Sequence, residues 1–105
     1  MRLNQYSIFD MATGAYMRPF FMQSDGQAMR AFKDLCMDAN HEVGKHPEDY
    51  SLVRSGVWDD QTAQTQPEDT LVLANGLEVV AQSRKVNGGQ LDEFDQSIVD
   101  NPGVE

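Results

Sequence analysis

The sequence predicts an α+β domain in which two β-hairpins flank one central α-helix, giving a mainly antiparallel sheet with the helix on one face. Three observations support this fold class. An apolar stripe with helical spacing runs through residues 25–43, strand-like segments with turn signals lie on both sides of it, and apolar density drops after residue 81. We therefore assign residues 1–81 to a single domain and residues 82–105 to an acidic C-terminal tail that we expect to be flexible.

The central helix is predicted over residues 25–43. Ser24 followed by Gln27 is typical of a capping box, in which each side chain satisfies a free amide of the first helical turn. The buried stripe is predicted to consist of Ala28, Phe32, Leu35 and Ala39, widened by Met29 and Cys36. Asn40 and Gly44 are expected stop signals. The simplest role for this helix is as scaffold for the core.

The first hairpin is predicted before the helix. Residues 3–9 alternate as a strand, residues 10–14 contain the Asp and Gly of a turn, and residues 15–21 return as a second strand. Tyr6 and Ile8 are expected on one face of this strand, and Gln5, Ser7 and Phe9 on the other. Because Pro19 has no amide hydrogen for a sheet ladder, the second strand is expected to be an edge strand or to bend there.

The second hairpin is predicted after the helix. Residues 50–58 form its first strand, with Leu52 and Trp58 on the same face, and Gly56 suggests a bulge or a close contact.

The second strand of this hairpin has a less regular sequence pattern. Residues 65–69 are expected to be a polar loop and residues 70–74 a strand. Asn75–Gly76 is a strong signal for a two-residue turn, and residues 77–81 fit either a fifth strand or a short helix.

A short pattern occurs twice. Phe9-Asp10-x-x-Thr13-Gly14 is echoed by Trp58-Asp59-x-x-Thr62-Ala63. This similarity predicts two hairpins with similar turn chemistry, although two copies of six residues do not establish a repeat.

The negative charge is concentrated in the second half of the chain. Residues 1–58 contain six Lys and Arg against seven acids, a net −1, and residues 59–105 contain two against ten, a net −8, which together give −9. Such a chain is a poor general binder of phosphate, but it can bind nucleic acid locally through a basic face and aromatic stacking. The acidity also fits a basic protein partner or a solubility role.

The single cysteine, Cys36, excludes an intrachain disulfide and fits a reducing compartment. Without a signal-peptide pattern or a long apolar run, we expect a cytoplasmic protein with no membrane association.

The sequence provides little support for an enzyme. Two sets of candidate metal ligands are Cys36 with His41 and His46, and Asp10 with Asp59 and Asp60. The first set lacks the spacing of zinc sites, and the aspartates are better explained as turn caps than as a Mg²⁺ site. With no phosphate-binding glycine loop and no recognisable nucleophile, we predict no catalysis, no cofactor and no metal.

Aromatic and basic residues on the predicted strands and helix suggest a surface that binds single-stranded nucleic acid by stacking and phosphate contacts. The candidate residues are Tyr16, Arg18, Arg30, Lys33, Arg54 and Trp58. The alternative is that most of the aromatic residues form the core beneath the helix.

Several short motifs occur in a familiar order. They are Tyr6-Ser7-Ile8-Phe9-Asp10, Pro19-Phe20-Phe21, Asp25-x-x-Ala28-x-Arg30-x-Phe32, Pro47-Glu48-Asp49-Tyr50-x-Leu52 and Gly56-x-Trp58-Asp59. In this order and spacing, residues 3–60 resemble the small nonstructural protein of gokushoviruses, which are microviruses with circular single-stranded DNA genomes. The resemblance implies a nonstructural viral protein in the host cytoplasm that binds single-stranded DNA and supports the switch from genome replication to single-strand synthesis and packaging.

A second hypothesis is an acidic protein-interaction module that does not bind DNA directly. Its partner would be the viral replication initiator, a host replication protein or the procapsid, and its anchors would be Leu91, Phe94 and Ile98, which have helical spacing. A homodimer through an edge strand or the helix is also consistent with so small a domain.

Overall fold

The computed structural model describes residues 1–88 and shows a five-stranded antiparallel sheet with helices packed on one face, which confirms the predicted α+β class. The elements in chain order are β1 (Arg2–Asp10), β2 (Ala15–Tyr16), β3 (Phe20–Met22), α1 (Asp25–Cys36), α2 (Glu42–Lys45), a 3₁₀ turn (Pro47–Asp49), β4 (Tyr50–Asp59), β5 (Gln64–Asn75) and α3 (Gly76–Gly88). No helix among these residues has the length and apolar character needed to cross a membrane.

The sheet is built around β1 and β4. Its strand order is β2-β1-β4-β5, and β3 pairs with β1 alongside β2, so that β5 is one edge and the short strands β2 and β3 form the other. All three helices contribute to the same core on one side of the sheet. Its buried members are Tyr6, Ile8, Ala28, Phe32, Cys36, Val43, Tyr50, Leu52, Ala74 and Val80. The prediction that Tyr6 and Ile8 share one face of β1 is therefore confirmed, and this face is the buried one.

The helix predicted over residues 25–43 is shorter than expected. Its capping is confirmed at Ser24, whose side chain accepts a hydrogen bond from the Gln27 amide (3.2 Å), but the Gln27 side chain accepts from the Gln23 amide instead of that of Ser24. The helix ends at Cys36, so that Ala39 is exposed outside it.

A second helix, α2, follows after a turn. Its residue Gly44 packs directly against the chain that leaves the end of α1. A Cβ built at Gly44 would lie 1.8 Å from the Asp38 carbonyl oxygen, so this close contact requires glycine. The His41 side chain caps α2 by accepting a hydrogen bond from the Val43 amide (3.1 Å).

The return strand of the first hairpin is divided in two. The predicted bend at Pro19 is confirmed, since the ladder stops after Tyr16 and resumes at Phe20. The connection stays attached to β1, because the Met17 amide donates to the Ile8 carbonyl (2.8 Å) and the Ser7 hydroxyl donates to the Met17 carbonyl (2.5 Å).

A bulge in β4 changes which side chains share a face. Pairing with β1 shifts register between Arg54 and Gly56, which leaves Ser55 as the extra residue. The prediction of a bulge near Gly56 is confirmed, but the prediction that Leu52 and Trp58 share a face is wrong. An extra residue reverses the alternation beyond it, so Trp58 lies on the face opposite the core.

The C-terminal part of the domain departs furthest from expectation. Residues 65–69, predicted to be a polar loop, belong to β5, and Asn75–Gly76 joins β5 to α3 where a two-residue turn was expected. The Asn75 side chain accepts a hydrogen bond from the Leu77 amide (2.9 Å) and so caps α3. Of the two structures considered for residues 77–81, the helix is confirmed.

The domain boundary predicted after residue 81 falls within α3, which continues to Gly88. The rest of the predicted acidic tail, residues 89–105, lies outside the described residues.

The repeated turn pattern corresponds to the same local structure in both hairpins. The Asp10 side chain accepts from the Ala12 amide (2.9 Å) and the Asp59 side chain from the Gln61 amide (2.8 Å). Each turn closes with a 2.8 Å backbone hydrogen bond across four residues and ends in a residue with positive φ, which is +72° at Gly14 and +60° at Ala63. The predicted similarity of turn chemistry is confirmed.

The two turns provide a matched test of backbone strain. Alanine at positive φ is strained by about 1 kcal/mol, and replacing it with glycine removes this strain. Glycine also increases the conformational entropy of the unfolded chain, which offsets part of the gain in stability. We therefore expect Ala63→Gly to raise the free energy of unfolding by about 0.5 kcal/mol and Gly14→Ala to lower it by about 1 kcal/mol. Urea denaturation measures both. Equal stability of the two variants would contradict the assigned turn geometry.

Candidate nucleic-acid interface

The sheet has one face without a helix among residues 1–88. We call it the open face and define it by Leu3, Gln5, Ser7 and Phe9 of β1 together with the residues that lie beside them on neighbouring strands. These β1 side chains alternate with Tyr6 and Ile8, which point into the core beneath the helices. The open face is therefore the sheet surface that no helix of the described residues covers.

Two aromatic pairs lie on the open face. Phe9 and Tyr16 are cross-strand neighbours whose ring centroids are 4.8 Å apart, and Phe21 and Trp58 lie on either side of β1 with centroids 5.6 Å apart. Tyr16 is 56% exposed and Phe21 is 40% exposed. Rings held at an open surface in this way can stack on planar ligands such as nucleobases.

The two pairs are separated along the sheet. Trp58 lies opposite Leu3 and Tyr16 lies opposite Phe9, six positions further along β1, which is about 20 Å at 3.3 Å per residue. The surface between them is mostly polar, with a 3.0 Å hydrogen bond from the Gln5 amide to the Ser55 hydroxyl. An extended ligand could therefore contact both pairs at once.

Two of the predicted basic residues border the edge of this face. Arg18 is exposed in the connection between β2 and β3, the strands that carry Tyr16 and Phe21. Arg30 lines a surface groove between β3 and α1 together with Leu3 and Phe21. Asp34 also lines this groove, so its electrostatic potential is partly balanced.

Arg54 lies on the other side of the sheet, where it belongs to a polar cluster at the start of α1. Its Nη1 donates to Asp25 Oδ2 (2.7 Å), and the Tyr6 hydroxyl donates to Asp25 Oδ1 (2.7 Å). Asn4 Nδ2 in turn donates to the Tyr6 hydroxyl (3.0 Å). Burial, followed by the hydrogen bond to Asp25, raises the pKa of Tyr6 because both favour the protonated phenol.

The six predicted residues therefore do not form one surface. Tyr16 and Trp58 share the open face, Arg18 and Arg30 border its edge, and Arg54 is paired with Asp25 on the helix side. Lys33 is exposed near the C-terminal end of α1 and does not line the groove beside Arg30. The predicted protein-binding residues Leu91, Phe94 and Ile98 lie outside the described part of the chain.

The six candidate residues did not include Phe9 and Phe21, which the structure places on this surface. The sequence contains a signal for Phe9, since it lies on the strand face opposite Tyr6 and Ile8. Phe21 lies in the strand segment that follows Pro19. The bulge at Ser55, which brings Trp58 to the same face as Phe21, has no comparable signal beyond Gly56.

The other polar and nucleophilic candidates are occupied by structural contacts. Burial raises the pKa of the Cys36 thiol to about 11, which keeps it protonated and unreactive near neutral pH. Asp10 and Asp59 cap turns at opposite ends of β1, so they do not meet, and Asp60 binds the N-terminal amine (2.7 Å). Residues 1–88 contain no cluster of three His, Cys, Asp or Glu side chains arranged to bind a metal.

Comparison with known proteins identifies one family. A family model described as "Phage ORF5 protein" matches residues 3–79, which extends beyond the 3–60 segment that carries the sequence resemblance and includes β5 and the start of α3. No curated protein and no solved structure gives a significant match to the chain.

The contact of Arg54 with Asp25 predicts that Arg54 contributes more to stability than the groove-lining Arg30 does. Arg54→Ala removes a charged partner from the Asp25 cluster, so we expect a loss of about 1–3 kcal/mol in the free energy of unfolding. The matched variant Arg30→Ala removes a groove-lining arginine and should change stability by less than about 0.5 kcal/mol. Urea denaturation of both variants measures the difference. Equal stabilities would mean that the contact of Arg54 with Asp25 does not stabilise the fold.

Proposed function

The chain belongs to the Phage ORF5 protein family, and we propose that it is a nonstructural accessory protein that binds single-stranded DNA through the open face. In this role it would hold viral single strands during the change from genome replication to single-strand synthesis and packaging. The proposal combines the family membership with the surface chemistry of the sheet.

The observation that carries the proposal is the presence of two aromatic pairs on one open sheet face. Aromatic rings bind single strands without strict sequence preference, because every base presents a π-face, and each stacked base contributes about 1–3 kcal/mol. The Phe21–Trp58 pair lies beside an arginine, since Phe21 and Arg30 line the same groove. This end of the open face is therefore where we place the strongest contact.

The charge distribution limits how the DNA can be held. A net charge of −9 disfavours broad contact with phosphates, and only Arg18 and Arg30 among the predicted basic residues border the open face. With two phosphate contacts, log K should fall with log salt at a slope of about −1.4, taking about −0.7 per contact for single strands. We therefore propose binding in which stacking outweighs phosphate contact.

The proposal predicts that Phe21→Ala and Trp58→Ala each weaken binding of a fluorescein-labelled oligothymidine about 5- to 150-fold, which is the affinity equivalent of one lost stack. Fluorescence anisotropy measures the affinity. The emission of Trp58, the single tryptophan of the chain, gives a second readout because stacking on a base should quench it.

Two matched controls sharpen this test. Leu77→Ala removes an apolar side chain that is 58% exposed on α3 and should leave binding unchanged. Arg30→Ala should weaken binding and reduce the salt slope by about 0.7, whereas Lys33→Ala on the same helix should do neither. Absence of binding at low salt, or binding that is insensitive to Phe21 and Trp58, would overturn the proposal.

The alternative of an acidic interaction protein rests on the net charge of −8 in residues 59–105. Because α3 extends to Gly88, a chain that ends at Gly88 keeps every described element and removes Leu91, Phe94 and Ile98. If this alternative holds, the shortened chain should lose capture of the replication initiator or the procapsid protein in a pull-down but keep the fold. Undiminished capture would exclude it.

A further inference from the structure

The groove between β3 and α1 continues the open face around the edge of the sheet. Phe21 belongs to both surfaces, since its ring pairs with Trp58 and also lines the groove. Leu3, which lies opposite Trp58 on the neighbouring strand, lines the groove as well. A DNA strand that stacks on the Phe21–Trp58 pair therefore passes beside the groove.

The groove has the size and the lining of a site for a flat ring. Its volume is about 520 Å³, which is within the range of small-molecule sites. Apolar side chains of the sheet, Leu3, Phe21 and Met22, line it on one side. Helix α1 lines the other side, where Ala31 contributes only a methyl group. A nucleobase can therefore contact apolar groups with its face inside the groove.

Two charged side chains of the groove have no salt-bridge partner within residues 1–88. Arg30 and Asp34 are one helical turn apart, so their side chains lie on the same face of α1, yet they form no salt bridge with each other. The two other polar side chains of the groove each already make a hydrogen bond. Gln27 Oε1 accepts from the backbone amide of Gln23 (3.1 Å), and Gln23 Nε2 donates to Met1 Sδ (3.2 Å). The groove therefore presents one guanidinium and one carboxylate to a ligand.

Guanine is the DNA base that best matches this pair of charges. Its N1–H and its N2 amino group are two adjacent donors for a carboxylate, and its O6 and N7 are two adjacent acceptors for a guanidinium. Adenine and cytosine each offer a single amino group, and thymine offers one N–H between two carbonyl oxygens that a carboxylate repels. In a single strand these edges are unpaired, so side chains can reach them.

We propose that the groove between β3 and α1 is a base subsite that prefers guanine. Asp34 accepts hydrogen bonds from N1–H and the N2 amino group, and Arg30 donates to O6 and N7. Because a guanidinium has five N–H donors, Arg30 can contact a neighbouring phosphate at the same time. This inference rests on the proposed binding of single-stranded DNA to the open face, and it adds a base preference to that binding.

The test compares DNA strands that differ in one type of base. Full-length protein is titrated by fluorescence anisotropy with a fluorescein-labelled oligothymidine of about 15 nucleotides and with strands carrying guanine, adenine, cytosine or hypoxanthine at every third position. We expect guanine to lower the Kd about tenfold relative to thymine, as for one bidentate base contact. Adenine stacks as a purine but lacks the second donor, so its Kd should stay within about threefold of that of thymine. Hypoxanthine, which is guanine without the N2 amino group, should lose most of the preference.

The ratio of the thymine and guanine Kd values, taken within one variant, separates the base contact from general DNA binding. Asp34→Asn replaces one acceptor with a donor and should reduce the preference to about threefold or less. Ala31→Leu fills the groove while it keeps both charges, and it should have the same effect. Asp69→Asn makes the matching change at an exposed position of β5 outside the groove, and it should retain the preference. Circular dichroism checks that each variant is folded.

The possible results separate this inference from the proposed function. The guanine subsite would be overturned, with DNA binding left in place, if oligothymidine bound as tightly as the guanine strand. An equal preference for adenine, cytosine or hypoxanthine, or a preference that survives Asp34→Asn, would overturn it in the same way. Binding of the guanine strand without binding of oligothymidine would support the subsite and overturn binding by stacking alone. Absence of binding to every strand at low salt would overturn both.

Discussion

The carboxylate of Asp25 ties the helix layer to the two central strands of the sheet. It accepts one hydrogen bond from Tyr6 of β1 and one from Arg54 of β4, and it lies in the first turn of α1, where a negative charge is also favoured by the helix dipole. Because α1 cannot rotate or slide without breaking both contacts, this junction fixes which side chains of the helix enter the core. Phe32 and Cys36 are then buried and Arg30 is left at the groove.

The bulge at Ser55 follows directly after this junction and gives β4 two functions. Before the bulge, Leu52 and Arg54 face the helices and support the core. After it, Trp58 faces away from the helices and joins Phe21. Without the extra residue the single tryptophan would lie on the helix side, and the open face would lose one of its aromatic rings. A local irregularity in one strand therefore separates the structural face of the sheet from the face proposed to bind DNA.

A small acidic protein that binds DNA must rely on contacts other than charge. Stacking on aromatic rings is largely indifferent to net charge and to salt, so it suits a chain with a net charge of −9.

The sequence by itself determined the local features of this protein. Helical periodicity identified α1, strand alternation identified β1 and β4, Pro19 predicted the bend, and the paired Asp motifs predicted matching turns, because each of these depends on neighbouring residues. The tertiary structure alone decided where α1 ended, since Gly44 packs on Asp38, and that residues 65–69 formed a strand, since β4 supplied the ladder for them. It also placed Arg54 on Asp25 and Trp58 on Phe21. Those outcomes depend on strand register and on contacts between distant segments, which no local pattern encodes.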